Sequence, residues 1–328
     1  MKAVWYDRTG PAREVLEFGE RPTPQPGHGQ ALVRIRASGV NPSEVGRRGG
    51  AAGPMAYPRV TPNSDGAGVV EAVGPGGDAV WVGRRVWFYN GQRNGRAFGS
   101  AAEYIELDLD LLTPLPDEVS FAEGATLGIP CMTAHRSLFL AGPVQGRTVL
   151  VTGGAGAVGH YAVQLAKWAG ATVIATVSSE TKAERARAGG ADHTVDYRTE
   201  DVAARVRKLT GGEGVDHIVD VDFGGNLAAN LACLKMNGSI AYYATRGGAT
   251  PAVPAGALMR LNLTVSGVYL PVSPHAARKR AQTDIGRWIS TGRRYLAVAG
   301  RFALEDCAAA HERVEAGGKV GTVVVEID

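Results

Sequence analysis

Cysteine is scarce in this chain, and the three present (Cys131, Cys233, Cys307) stand far apart and are odd in number. They fit neither a disulfide framework nor a metal-ligand spacing, which suits a reducing cytoplasm. No apolar run approaches the roughly 18 residues of a membrane-spanning helix. The opening Met1-Lys-Ala-Val-Trp-Tyr-Asp-Arg8 also lacks the apolar core of a signal peptide. The chain is therefore expected to be soluble and cytoplasmic, with no membrane partner. An excess of one charge is missing too: the formal net charge is +3 and the basic residues are scattered. Without a basic stripe, nucleic acid is not an expected partner, although an anionic cofactor is compatible. Glycine, by contrast, is abundant, and 328 residues suffice for two domains with separate cores.

The glycines matter most between Arg147 and Tyr197. A β-branched run, Thr148 to Thr152, leads into a glycine cluster, and Val158, Tyr161, Ala162, Leu165 and Ala169 follow at helical spacing. Gly170 stands where that helix would stop, and Val173 to Val177 reads as a second strand. Gly154-x-Gly156-x-x-Gly159 thus lies between strand and helix in a βαβ unit, the context of a dinucleotide-binding loop. In that reading Gly154 permits the tight turn, Gly156 lets a pyrophosphate approach the backbone, and Gly159 lets helix and strand pack closely. Ala155, Ala157 and Val158 complete the loop and the helix start, whose free N–H groups face the phosphate. About 20 residues beyond the glycines, an NAD site usually has an acid on the ribose hydroxyls. Here Ser178 and Ser179 occupy that position, with Lys182 one turn further. A carboxylate about 5 Å from a 2′-phosphate would cost roughly 3 kcal/mol per unit charge at an effective dielectric near 20. Serines plus Lys182 therefore select NADPH. Glu180 is expected to face water in the first turn of the next helix.

Residues 1 to about 115 read as β-rich, with strands at Ala3–Tyr6, Ala31–Val40, Gly68–Val73, Arg85–Tyr89 and Ala102–Leu107 between Gly/Pro breakers. Gly46 to Asn63 reads as a long mobile loop at a mouth. Ser120-Phe-Ala-Glu123 is a capping box opening a helix that runs past Met132 and Leu138. Strands and helices then alternate: strands at His193–Asp196, His217–Val221, Ser239–Ala244 and Leu263–Leu270, and a helix at Leu227–Met236 among those between. That rhythm implies an α/β fold with a doubly wound parallel sheet and a ligand at its carboxyl edge. Helices Pro274–Thr291 and Leu304–Gly317 precede a strand, Val320–Ile327, of all-β character, which is expected to return to the first domain.

This order resembles the medium-chain dehydrogenases/reductases, and within them the zinc-independent quinone oxidoreductases related to zeta-crystallin. The resemblance runs the full length. It is carried by Gly39-Val-Asn-Pro-Ser-Glu44, Asp65-Gly-Ala-Gly-Val-Val-Glu-Ala-Val-Gly74, Ala102-Glu-Tyr104, Gly128-Ile-Pro-Cys-Met-Thr-Ala-His-Arg136, the glycine motif, His311, and Lys319-Val-Gly-Thr-Val-Val-Val325. It implies a GroES-like β-barrel-type catalytic domain, residues 1–119 and 271–328, and a Rossmann NADP-binding domain, 120–270. It also implies a homodimer joined by edge strands of the cofactor domains, with Leu263–Leu270 as the seam. Where zinc-dependent relatives carry cysteine and histidine, this chain has Asn41 and Ser64, and Cys131 is the only sulfur near the third position. One cysteine cannot hold zinc, so no metal is expected.

From the residues alone Asn41 is a pre-proline turn residue and Thr133 a helix hydroxyl bonding back to its own turn. The resemblance implies more: Asn41 beside the nicotinamide ribose or substrate carbonyl, and Thr133 on the nicotinamide side. It gives Tyr197 a place beside the 2′-phosphate, where a strand-end aromatic is the plain alternative. Ala244 and Thr245, and Val268, Tyr269 and Leu270, match segments walling the nicotinamide half. The sequence departs from bacterial quinone reductases at Gly46 and Ala52, where they have tyrosines, so Tyr57, Tyr89 or a water is expected to take over. Tyr57 is the candidate joining Asn41 in catalysis. Arg47 and Arg48 read as solvated loop charges, with attraction of an anionic acceptor the alternative. The expected activity is NADPH-dependent reduction of a quinone or related conjugated carbonyl. The alternatives are an enone (enoyl) reductase, a zinc-free alcohol dehydrogenase, and a non-catalytic NADPH-binding protein of the crystallin or RNA-associated kind.

Overall fold

The computed structural model describes residues 1–93, 95–292 and 294–328. The chain divides into two compact units, Met1–Pro130 with Leu296–Asp328, and Cys131–Tyr295. These limits lie later than the expected 119 and 271. At the second limit the reason is packing: helix His275–Ile289 lies on helix Met132–Phe139, where Asp284 meets His135 Nε2 at 3.0 Å.

Strands are numbered along the chain. In the first unit β1 (Lys2–Trp5) and β2 (Glu17–Glu20) form an antiparallel pair. The main sheet has β3 (Gln30–Val40), β4 (Asp65–Val73), β5 (Arg85–Phe88), β6 (Tyr104–Asp108), β7 (Leu112–Pro114), β14 (Val298–Ala303) and β15 (Thr322–Glu326). Its order is β14-β15-β3-β4-β5-β7, with β6 also paired to β3. Alternation sets the faces: Val33 and Ile35 are fully buried while Arg34 points to water. Val33, Ile35, Val70, Ile105, Val323 and Val325 share one core, each contributing about 1.5–3 kcal/mol on burial. β15 lies antiparallel against β3, Val323 opposite Val40, which brings the two segments of this unit into one sheet. Strand β14 and helix Pro42–Arg48 were not legible in the sequence; the helix takes the first residues of the expected 46–63 loop.

The second unit is a six-stranded, wholly parallel sheet: β8 (Thr148–Val151), β9 (Thr172–Val177), β10 (His193–Asp196), β11 (Val215–Asp220), β12 (Leu234–Tyr242) and β13 (Thr264–Gly267). Its order, β10-β9-β8-β11-β12-β13, reverses between β8 and β11, where doubly wound sheets bind ligands at their carboxyl ends. β8, β9 and β11 are almost entirely buried, as strands covered on both faces must be.

Two helices differ from expectation. The capping box at Ser120 and Glu123 forms, but its helix ends at Gly124 and a new one runs Met132–Phe139. Between them Gly128 leaves helical geometry and Pro130 withholds an N–H. The helix expected at Leu227–Met236 is Phe223–Cys233, started earlier by Asp222, whose carboxylate caps Gly225 N. Among the described residues no helix is long and apolar enough to cross a membrane.

Candidate functional site

The glycine loop leaves β8 at the sheet's reversal point. Gly153, with φ of 64°, takes the left-handed turn position, a role expected of Gly154. Gly154 instead permits close packing, since a Cβ there would stand 2.7 Å from the Ala175 Cβ on β9. At Gly159 a Cβ would stand 2.3 Å from the Gly153 carbonyl oxygen, so helix and loop touch backbone to backbone. Gly156 is the N-cap of helix Ala157–Trp168, and no side chain caps this helix. Its first-turn N–H groups are thus left for an anion. Ala155 is buried, and Ala157 and Val158 are half-buried. A clip that sequence reasoning missed steadies the loop. Thr152 Oγ1 donates to Asp220 Oδ1 (2.7 Å) and accepts from Val221 N (2.9 Å), tying the ends of β8 and β11. The available signal was a polar residue ending each of two apolar strands.

Ser178 directly follows β9, and the Tyr197 N–H bonds the Val177 carbonyl, so both reach the same sheet corner. Lys182 Nζ donates to Ser178 Oγ (2.8 Å), and Ser179 caps helix Glu180–Ala188. Lys182 stands in no ion pair among the described residues, whereas Glu180 pairs with Arg187 along its own helix. Glu180 is thereby engaged by an arginine rather than by Lys182. Tyr197 is half exposed.

Thr133 is buried in helix Met132–Phe139. Ala244 accepts from Phe223 N, and Thr245 Oγ1 accepts from Gly224 N (3.2 Å). Asp222 also receives Gly247 N (2.8 Å), which pins the 244–248 loop to a helix start. Val268 N bonds the Tyr242 carbonyl; Val268 and Leu270 are buried, and Tyr269 is 62% exposed.

In the first unit Asn41 N-caps helix Pro42–Arg48. Its N–H donates to Glu44 Oε2 (2.6 Å), and its side-chain Nδ2 donates to Asp65 Oδ2 (2.7 Å). Ile129 N donates to the same Asp65 oxygen (2.8 Å). Asp65 Oδ1 is buried without a hydrogen-bond partner, against Gly128, where a Cβ would stand 2.2 Å away. Burial and then the Glu44 carboxylate push the Asp65 carboxyl well above its usual range; burial also raises Glu44, against the pull of Arg93 at 3.7 Å. Sequence reasoning missed Asp65 and Arg93. Asn-x-x-Glu as a capping box was the legible half of the signal. Tyr57 does not join this network; it packs on Tyr6, Val15 and Val60. Arg48 is no solvated charge either: it is 1% exposed, bound to the Gly10 carbonyl and Glu315. Cys131 is fully buried and burial pushes its thiol up; the described residues hold no group of three His, Cys, Asp or Glu able to bind a metal.

The raised carboxyl has a measurable consequence. Above about pH 4 the unfolded chain releases a proton that folded Asp65 retains. Stability is therefore fullest below that window and falls as pH rises through the raised folded value. Asp65→Asn keeps an acceptor for Asn41 and Ile129 and removes the charge. It is expected to flatten the fall, as read from denaturation midpoints between mildly acidic and neutral pH.

Comparison with known proteins agrees with this geometry. Residues 27–117 match the alcohol dehydrogenase GroES-like domain, and residues 157–283 the zinc-binding dehydrogenase model. The chain is 34% identical to a 2-haloacrylate reductase of Burkholderia sp., covering 99% of this chain and 98% of that one. It is 30% identical to the quinone oxidoreductase of Homo sapiens, covering 99% and 97%. A mycobacterial protein solved in complex with NADPH superposes with a TM-score of 0.86 at 33% identity, and an NAD-dependent alcohol dehydrogenase with 0.90 at 32%, all chains fully covered. A GroES-like domain with a Rossmann-type parallel sheet defines the medium-chain dehydrogenases/reductases. Within that class the chain belongs to the quinone oxidoreductase family.

Proposed function

We propose that this protein is an NADPH-dependent reductase of quinones or related conjugated carbonyls. The observation that carries the reading is the uncapped helix start at Gly156, with Gly154 and Gly159 kept bare by close contacts. A pyrophosphate fits there: its charge replaces the missing cap. Ser178, Ser179, Lys182 and Tyr197 would hold the 2′-phosphate. The NAD-dependent neighbour argues the other way, but the withdrawal of Glu180 to Arg187 favours the phosphorylated form.

When bound, reduced nicotinamide supplies a hydride. The chain's part is to orient and to exclude water. Thr133, Ala244, Thr245 and Val268 to Leu270 would wall the nicotinamide half. Both Nδ2 hydrogens of Asn41 face buried carboxyls, Asp65 at 2.7 Å and Glu44 at 3.5 Å. Asn41 therefore offers its carbonyl oxygen, an acceptor suited to a ribose hydroxyl rather than a donor to an oxyanion. Water protonates the reduced product. The 2-haloacrylate reductase and the quinone oxidoreductase that the chain resembles are both named for acceptors with conjugated double bonds, which supports this substrate class.

NADPH oxidation with 9,10-phenanthrenequinone, 1,4-benzoquinone and a simple enone tests the reading. Turnover of the enone alone makes it an enone reductase. Tight NADPH binding with no turnover of any of them leaves a non-catalytic dinucleotide-binding protein and overturns the proposal. We further propose a homodimer through β13, which ends its sheet and presents a free strand edge. Light scattering at micromolar concentration is expected to give twice the chain mass.

A further inference from the structure

The first unit holds a cavity of about 230 Å³ that the reductase reading leaves unassigned. Its wall is the run Ala52 to Tyr57 with Gln92, Arg93, Gly95 and Arg96, closed by Tyr6, Arg47 and Val60. Position 52 carries a tyrosine in the bacterial quinone reductases that the sequence resembles, and the same resemblance places it at the active-site mouth. Alanine there leaves space where a ring would stand.

Charge in this space is one-sided. Arg47, Arg93 and Arg96 line it, and among the described residues no carboxylate does. Arg96 is offset by Glu106 at 3.1 Å, and Arg93 by Glu44 at 3.7 Å, a carboxyl that burial inclines toward its neutral form. Arg47 stands in no ion pair among the described residues; its Nη2 reaches only the Gln92 carbonyl (2.8 Å) and side chain. Arg93 is 5% exposed, and the Nε atoms of Arg47 and Arg93 are buried without hydrogen-bond partners. Arg93 also donates to Ser43 Oγ (2.7 Å), so Arg47 is the cation in this pocket with an unneutralised charge, and a carboxylate is the group that an arginine fork pairs with.

We propose that this cavity binds the carboxylate of the substrate, so that the preferred acceptor is a conjugated carbonyl bearing an acid group. The inference rests on the reductase reading and narrows its substrate class. In the reaction the hydride forms a C–H bond at the β-carbon, the C=C π bond breaks, and its electron pair moves to the carbonyl oxygen. A proton from water then adds at the α-carbon. Arg47 and Arg93 pair with the carboxylate, lowering the repulsion that an anionic acceptor presents to hydride.

The test compares 4-oxo-4-phenylbut-2-enoate with its methyl ester. Wild type is expected to favour the acid in kcat/KM by at least about tenfold, consistent with one charge-assisted contact. Arg47→Gln removes the preference mainly through KM for the acid and leaves the ester within about twofold. Arg47→Lys retains part of it. The saturated 4-oxo-4-phenylbutanoate, titrated by calorimetry, reads the cavity without chemistry. If it binds and Arg47→Gln weakens it while nothing is reduced, the pocket stands and the reductase reading falls. Equal turnover of acid and ester by wild type, or equal loss of both in Arg47→Gln, overturns the pocket.

Discussion

Ser178→Asp is expected to raise the dissociation constant for NADPH about a hundredfold while leaving that for NADH within a few-fold. The new carboxylate would sit on the residue that now receives Lys182 Nζ at 2.8 Å. If the 2′-phosphate lies about 5 Å away, each unit of its charge meets roughly 3 kcal/mol of unscreened repulsion; at an exposed site salt reduces the total to about 2.8 kcal/mol, a hundredfold at about 1.4 kcal/mol per tenfold. The aspartate would also draw Lys182 into an ion pair and silence its attraction. Lys182→Ala alone is expected to cost about tenfold, because its ammonium is partly screened. Fluorescence titration of both dinucleotides measures this, and an unchanged preference in Ser178→Asp would remove the basis for assigning NADPH.

Gly159→Ala is the second large effect. Its Cβ would stand 2.3 Å from the Gly153 oxygen and 2.9 Å from the Gly153 carbonyl carbon. Both obstacles are backbone, so no rotamer relieves the clash, and overpacking of this kind costs about 1–3 kcal/mol. For a unit of this size the thermal midpoint is expected to fall by roughly 2–4 °C per kcal/mol. Dinucleotide affinity should fall as well, because the displaced loop misaligns the helix start. A variant with unaltered melting and unaltered affinity would show that the close approach has no role.

The cofactor-binding sheet was the more legible half of the molecule. Its central strands β8, β9 and β11 are almost entirely buried and rich in valine, isoleucine and threonine, and Gly170, Gly189-Gly190 and Gly211-Gly212 mark where helices stop, so punctuation and periodicity agree. Within it the turn role moved by one residue, from Gly154 to Gly153, because adjacent glycines give no pattern by which to choose between them. The first unit was harder. Helix Pro42–Arg48 is a little under two turns, too short for periodicity, and the break at Gly128 arises from a carboxyl 63 positions earlier in the chain. Asp65 entered the sequence reading only as the first residue of a family motif, ahead of the strand expected at Gly68–Val73; only the fold brings Asn41, Ile129 and Glu44 around it. Arg48 looked like a loop charge because its partner, Glu315, lies near the far end of the sequence.

The pairing of β15 with β3 has a consequence for how the molecule is made. During synthesis β3 leaves the ribosome early, yet one of its edges waits until almost every other residue has been translated. The nucleotide-binding sheet is contiguous in the chain and can fold in the meantime. The nascent first unit must therefore keep the β3 edge from Ala37 to Val40 unpaired for most of translation, which makes it the part of the protein that chaperones have most reason to meet.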